Sequence, residues 1–405
     1  MTHFKQEQLD FLNWEFGVFF HFGIRTFYEG YRDWDGKEMS LDGFCPTELD
    51  CEEWVKTAKE AGAAYTILVC KHHDGFANWP SKYTDYSVAN TPWKGGKGDV
   101  VQEFVNACRK YDMKVGLYYS PAQFGLETVQ AKAYDDYFIS QVSELLTNYG
   151  KIDYIWFDGC GSENHEYDKD RIVREIRRLQ PGILIFTMWD PDTRWIGNES
   201  GIAPLYNRLT VSSMDFSIKQ AVPDLLDEPQ FLPAECDARM RLENWFYSDS
   251  DTDTVKSLDE LMGMYYYSVG RGANLLLNIG PDRRGKLPEP DKKALLAFGK
   301  KVKEVLGSEI ACKVTQAENK VTVDTPLQLV NHVILSEEID PDCEIEEFEI
   351  KVYPFPYGIP ITVYKGATVG HKAICSFPTI RTNKIEITFD KPKRVNAKIL
   401  YIPKY

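Results

Sequence analysis

His21, His72, His73 and Asp158 share a pattern: each stands where an apolar run ends. Gly17-Val-Phe-Phe-His21-Phe-Gly23 is apolar except for its histidine. Tyr65-Thr-Ile-Leu-Val-Cys70 runs directly into Lys71-His72-His73-Asp74-Gly75-Phe76. Asp153-Tyr-Ile-Trp-Phe-Asp158-Gly159 stops at a carboxylate and a turn signal. Runs of this kind read as short strands buried on both faces. In an α/β barrel the C-terminal ends of the strands face one mouth, where chemistry is done. Asp158, beside an aromatic wall, is then a candidate nucleophile; the competing reading makes it a cap on the helix that follows. Neutral imidazoles donate and accept hydrogen bonds, which suits a ligand rich in hydroxyl groups.

Covalent chemistry at one carboxylate calls for a second carboxyl to protonate the leaving group. The stretch Arg194-Trp-Ile-Gly-Asn-Glu199-Ser-Gly201 offers Glu199, in a glycine-bracketed loop next to Trp195. Partial desolvation there would raise its pKa, as a general acid requires. Glu235, in Pro233-Ala-Glu235-Cys-Asp237, is the alternative acid/base. A metal site is not expected: adjacent histidines on an extended chain point to opposite faces, and no HxH or HExxH spacing occurs. No cofactor is implied either, and no Gly-rich phosphate turn follows any strand.

The elements that must hold these groups alternate. Asp50 caps a helix in which Trp54, Val55, Ala58 and Ala61 repeat at helical spacing. Further helices are predicted over 99–111, 127–148, 170–179, 258–270 and 291–306, and further strands over 114–119, 183–186 and 274–279. The alternation predicts an α/β fold, a (β/α)8-like barrel over residues 1–310, irregular where the pattern blurs between about 200 and 257. From 311 to 405 the texture changes to short alternating runs such as Val321-Thr-Val323 and Lys384-Ile-Glu-Ile-Thr-Phe389, predicting a C-terminal β-sandwich domain.

Composition narrows the partners. A formal net charge of −14 argues against nucleic acid and anionic membranes, which need clustered Lys and Arg. Aromatics reach 13%, including 9 Trp and 23 Tyr, enough to supply stacking platforms as well as core. Nine scattered cysteines without a CxxC, and a polar start, fit a reduced, cytoplasmic protein.

These motifs together resemble glycoside hydrolase family 29, the α-L-fucosidases. The resemblance rests on Gly17 to Gly23, Lys71 to Phe76 with Trp79-Pro80-Ser81, Trp156-Phe157-Asp158-Gly159, and Gly272 to Pro281, and it covers about residues 12–310. Ala273 departs from the family's usual Gly-Gly-Asn. The resemblance implies a retaining mechanism acting on a fucosylated oligosaccharide or glycoconjugate, with Asp158 as nucleophile. Arg194 to Gly201 is similar to the subgroup that prefers α-1,3 and α-1,4 linkages, in which the motif's Glu, here Glu199, is the acid/base. It further implies that His21, His72 and His73 hold sugar hydroxyls, that Trp245 packs on the sugar's methyl face, and that Tyr118 and Trp34 contribute to binding. The alternative is a non-catalytic glycan-binding protein on the same fold; a pure binder has no need of both Asp158 and Glu199.

Overall fold

The apolar runs do become strands, and their side-chain alternation decides what reaches the mouth. A computed structural model describes residues 3–31, 37–123 and 131–403; Trp34 lies outside the described residues. The chain opens with α1 (Gln6–Trp14), β1 (Phe16–Phe20), α2 (Cys51–Ala61), β2 (Tyr65–Lys71), α3 (Val100–Lys110) and β3 (Lys114–Tyr119). It continues through α4 (Ala131–Asn148), β4 (Tyr154–Phe157), α5 (Lys169–Leu179), β5 (Leu184–Phe186) and the two-residue β6 (Arg194–Trp195). Then come the antiparallel pair β7 (Thr210–Met214) and β8 (Asp224–Phe231), β9 (Ala234–Arg239), α6 (Leu258–Tyr267), β10 (Asn274–Ile279) and α7 (Glu289–Leu306).

Eight strands form one sheet in the order β5-β4-β3-β2-β1-β10-β9-β6, every pairing parallel. Its two edges meet at a single parallel bridge, Phe186 to Thr193. This is the expected barrel, nearly closed. It is irregular where the sequence pattern blurs: no helix separates β5 from β6, and the β7–β8 hairpin replaces a helix between β6 and β9. Helix starts follow side-chain caps, as where Asp50 accepts from the Glu53 N–H at 2.9 Å and Asp99 from the Gln102 N–H at 2.8 Å.

Successive strand residues face opposite sides. Phe19, Tyr65, Ile67, Val69, Tyr118, Tyr154, Trp156, Phe186 and Trp195 fill the barrel interior as one cluster. Val18, Phe20, Leu68, Ile155 and Phe157 join the layer packed under the helices. Counting on by two carries the inward side of β1 from Phe19 to His21, and that of β4 from Trp156 to Asp158.

The C-terminal region is antiparallel: β11 (Lys313–Ala317), β12 (Lys320–Glu337), β13 (Phe348–Pro354), β14 (Ile361–Gly366), β15 (Ala373–Phe389) and β16 (Val395–Leu400). Register breaks in the long β12 and β15 let this sheet wrap one core that takes side chains from both halves of each. Ile334, Ile374 and Leu400 join the barrel's own core, and the Ile374 N–H donates to the Gly270 carbonyl at 3.0 Å. No helix among the described residues is long and apolar enough to cross a membrane.

Candidate active site

At the C-terminal ends of the strands lies a cavity of about 620 Å³, its open mouth included. His21, His72, His73, Tyr118, Trp156, Asp158, Trp195, Glu199 and Trp245 all line it. Five residues expected at a sugar site from sequence, and the acid/base candidate Glu199, are thus brought together with the Asp158 carboxylate.

Asp158 is gripped from three sides. The Tyr118 hydroxyl donates to Oδ2 at 2.8 Å, the Cys160 N–H donates to Oδ1 at 2.9 Å, and His73 Nε2 lies 3.3 Å from Oδ2. Its side chain keeps 24% exposure, so an oxygen remains open to the cavity. Burial works against the charge, but the adjacent His73 and the donated hydrogen bonds hold the Asp158 carboxyl below its usual range. His73 responds in the opposite sense: burial disfavours the imidazolium, and the Asp158 carboxylate overrides it, lifting His73 to about 10. Its other nitrogen lies 2.6 Å from the Ser120 hydroxyl.

The other two histidines are neutral. Burial lowers His21 to about 3, and its Nδ1 sits 2.6 Å from Asn278 Oδ1. Burial and neighbouring His73 push His72 well below its ordinary value. His72 stacks on Tyr118 with ring centroids 5.5 Å apart, and its buried Nδ1 has no hydrogen-bond partner among the described residues. A buried polar atom without a partner is costly, and a ligand hydroxyl would relieve it.

The expectation that adjacent histidines diverge does not hold. β2 ends at Lys71 and the chain turns at once, so both rings face the cavity with centroids 4.4 Å apart. One atom each of His72, His73 and Asp158 lies within 4.8 Å of the others, close enough to gather a cation. Hydrogen bonding accounts for the same convergence, since His73 is engaged at both nitrogens, by Ser120 and by Asp158. Asp74 leaves the rim altogether and caps the turn, its Oδ1 accepting from the Phe76 N–H at 2.8 Å.

Trp245 closes one wall. Its ring lies against His21 at 5.0 Å and Phe19 at 6.4 Å, and its carbonyl accepts from Asn278 Nδ2 at 2.8 Å. Phe216, Ser217 and Ile218, which follow β7, form the facing wall. Gly159 makes that possible, because a Cβ there would come within 2.1 Å of the Phe216 carbonyl. Sequence reasoning missed this hairpin contribution.

Glu199 is tied down more than a glycine-bracketed loop suggests. The Ile196 N–H donates to the Glu235 carbonyl at 3.1 Å and the Gly201 N–H to the Asp237 carbonyl at 3.2 Å, stitching both ends of the loop to β9. Asn198 folds back on it, its Oδ1 accepting from the Ser200 N–H at 3.1 Å. Glu235 is placed elsewhere. It is fully buried beneath the cavity, not on its wall, where its carboxylate oxygens accept from the Tyr65 hydroxyl at 2.5 Å and the Trp156 indole at 2.8 Å. Burial raises it to about 7 against those donors.

A carboxylate kept ionised in a barrel mouth, a second carboxyl lining the same cavity, and neutral imidazoles beside an aromatic face define a site of the glycoside-hydrolase type. The family model described as alpha-L-fucosidase matches residues 3–305. Alpha-L-fucosidase 1 of Arabidopsis thaliana is 35% identical over 351 residues, 83% of this chain and 68% of that protein. A glycoside hydrolase 29 family member from an unknown rumen bacterium superposes with a TM-score of 0.89 at 30% identity, over 99% of this chain and 78% of that one. A glycoside hydrolase 29 fucosidase of Ruminococcus gnavus, solved with fucose, gives 0.85 at 25% identity over 100% and 95%. The chain belongs to the α-L-fucosidase family of glycoside hydrolases.

Proposed function

We propose that the protein is a retaining α-L-fucosidase that releases terminal fucose, α-1,3- or α-1,4-linked, from glycans. The observation that carries this reading is Asp158: ionised by His73 and Tyr118, yet still open to the cavity. A low-pKa carboxylate is a competent nucleophile only if a separate acid serves the leaving group. Glu199, half-buried and lining the same cavity, fits that part better than Glu235, whose oxygens are spent beneath the floor.

Asp158 attacks the anomeric carbon while Glu199 protonates the departing oxygen. Glu199 then takes a proton from the water that hydrolyses the fucosyl-enzyme. Retention requires the two carboxyls about 5–5.5 Å apart with substrate bound. His21, His72 and His73 hold the sugar hydroxyls, Tyr118 aligns Asp158, and Trp245 offers an apolar face to the methyl group. The barrel, residues 1–310, forms the catalytic unit, and 311–405 brace it.

The test is a pair of substitutions assayed on aryl α-L-fucosides. Asp158→Ala should abolish turnover; kcat within about tenfold of wild type overturns the nucleophile, since triad-scale catalytic groups are worth far more. Glu199→Gln should lose far more on a poor leaving group than on a good one, with azide restoring Glu199→Ala. If leaving-group dependence is absent there but present in Glu235→Gln, the acid is Glu235. A panel of α-1,2, α-1,3, α-1,4 and α-1,6 fucosides tests the linkage.

A further inference from the structure

β9 presents charge to the barrel interior. Glu235, Asp237 and Arg239 alternate with Cys236 and Ala238, which pack outward. Glu235 lies under the floor, and Arg239 stacks on the Trp245 ring at 5.4 Å. Asp237 stands between them, only 4% exposed, on the wall that Glu199 shares. Its backbone carbonyl anchors the end of the Glu199 loop, and Ser200 bridges to Ala238 beside it. Its Oδ1 accepts from the Trp195 indole N–H at 2.7 Å.

Resting on the assignment of Glu199 as acid/base, we propose that Asp237 is its positioning residue: the two carboxyls form one coupled station that holds a single proton for the leaving group. Two carboxyls in one poorly solvated wall do not both ionise readily, so the pair keeps a proton to higher pH than a solvated carboxyl would. Burial raises Asp237 well above the ordinary range, and the Glu199 charge adds to it. Glu235 on the same face of β9 contributes in the same sense, and Asp215 stands against the loop at Gly197. Across the cavity the charges are Asp158 with His73, and Arg239 beside Trp245. The Trp195 N–H favours the anion on Asp237 and so opposes that rise, leaving more of the shared proton to Glu199 than burial alone would. Proton accounting closes. As the anomeric C–O bond breaks and the bond to Asp158 forms, the station's proton passes to the leaving oxygen. As water displaces Asp158, its proton returns to the station.

Asp237→Asn keeps an acceptor for Trp195 but removes the like charge, so Glu199 titrates alone. The basic limb of kcat/KM on an unactivated phenyl α-L-fucoside should move down by about one pH unit, a loss of about tenfold on that limb. An activated nitrophenyl α-L-fucoside, which needs little protonation, should lose less than about threefold, and Asp237→Glu should restore the limb. Trp195→Phe, which removes the donor to Oδ1, should move the limb upward. An unmoved limb in Asp237→Asn, or equal loss on both substrates at every pH, overturns the coupling. If Asp237→Asn does not fold, an unmoved limb in Trp195→Phe overturns it. Should Glu199→Gln show no leaving-group dependence, the underlying assignment fails instead; with that dependence intact, only the role of Asp237 is at stake.

Discussion

At the residue scale the site is an arrangement of protonation states. Asp158 and His73 stabilise each other's charged forms, so Asp158 stays ionised in acid where a lone buried carboxyl would not. Replacing His73 by Gln keeps a hydrogen-bond donor and removes the positive charge. Burial then dominates Asp158, its pKa rises, and the acid limb of kcat/KM should move up by about one pH unit, seen in a pH–rate profile. A limb left in place would mean that Tyr118 and the Cys160 N–H hold the carboxylate without help. These residues were legible in the sequence because each ends an apolar run, and a lone polar group there has few structural uses. Their protonation states were not, because those depend on partners distant in the chain: Ser120 for His73, Asn278 for His21.

At the element scale, alternation explains what was readable. Strands such as β1, β2 and β4 are apolar on both faces and declare themselves, and their ends carry the site. β6 is two residues long and reads as part of a loop; β9, with a charge at every second position, looks unlike a buried strand. The signal for Asp237 was present all the same, since Glu-Cys-Asp-Ala-Arg alternates charged with small apolar residues at a period of two. In a barrel whose outside is covered by helices, that pattern places the charges inward. The β6–β9 stitching also makes the Glu199 loop sensitive to backbone change. Gly197 has φ +89°, and a Cβ there would lie 2.7 Å from Asp215 Oδ2. Gly197→Ala should therefore cost about 1–2 kcal/mol locally and displace Glu199. A shift of that kind should lower kcat/KM on a poor leaving group by about tenfold or more, with a smaller loss on an activated one.

At the scale of the whole molecule, the C-terminal β region reaches the cavity through the β7–β8 hairpin. Glu344, buried at 2% exposure, accepts from the Leu209 N–H at 2.8 Å and the Thr210 N–H at 2.9 Å, and the Thr210 hydroxyl donates to the Pro341 carbonyl at 2.9 Å. Those bonds fix the start of β7, whose far end delivers Phe216, Ser217 and Ile218 to the cavity wall. In a second link the Asn207 N–H donates to the Thr368 hydroxyl at 3.1 Å, and the Arg194 guanidinium, at the head of the strand that leads to Glu199, donates to Asn207 Oδ1 at 2.5 Å. Glu344→Ala would leave the buried Leu209 N–H without its partner, at about 1–3 kcal/mol, and the partly buried Thr210 N–H at less. Strands β1–β5 and Asp158 lie outside these links, so the chemical step should persist while the wall that shapes the sugar site loosens. The expected result is a lower Tm with KM for an aryl α-L-fucoside raised severalfold and kcat changed much less. Thermal melts and Michaelis–Menten analysis of the same preparation check both parts. A lower Tm with KM unchanged would show that the β region steadies the barrel without shaping its mouth.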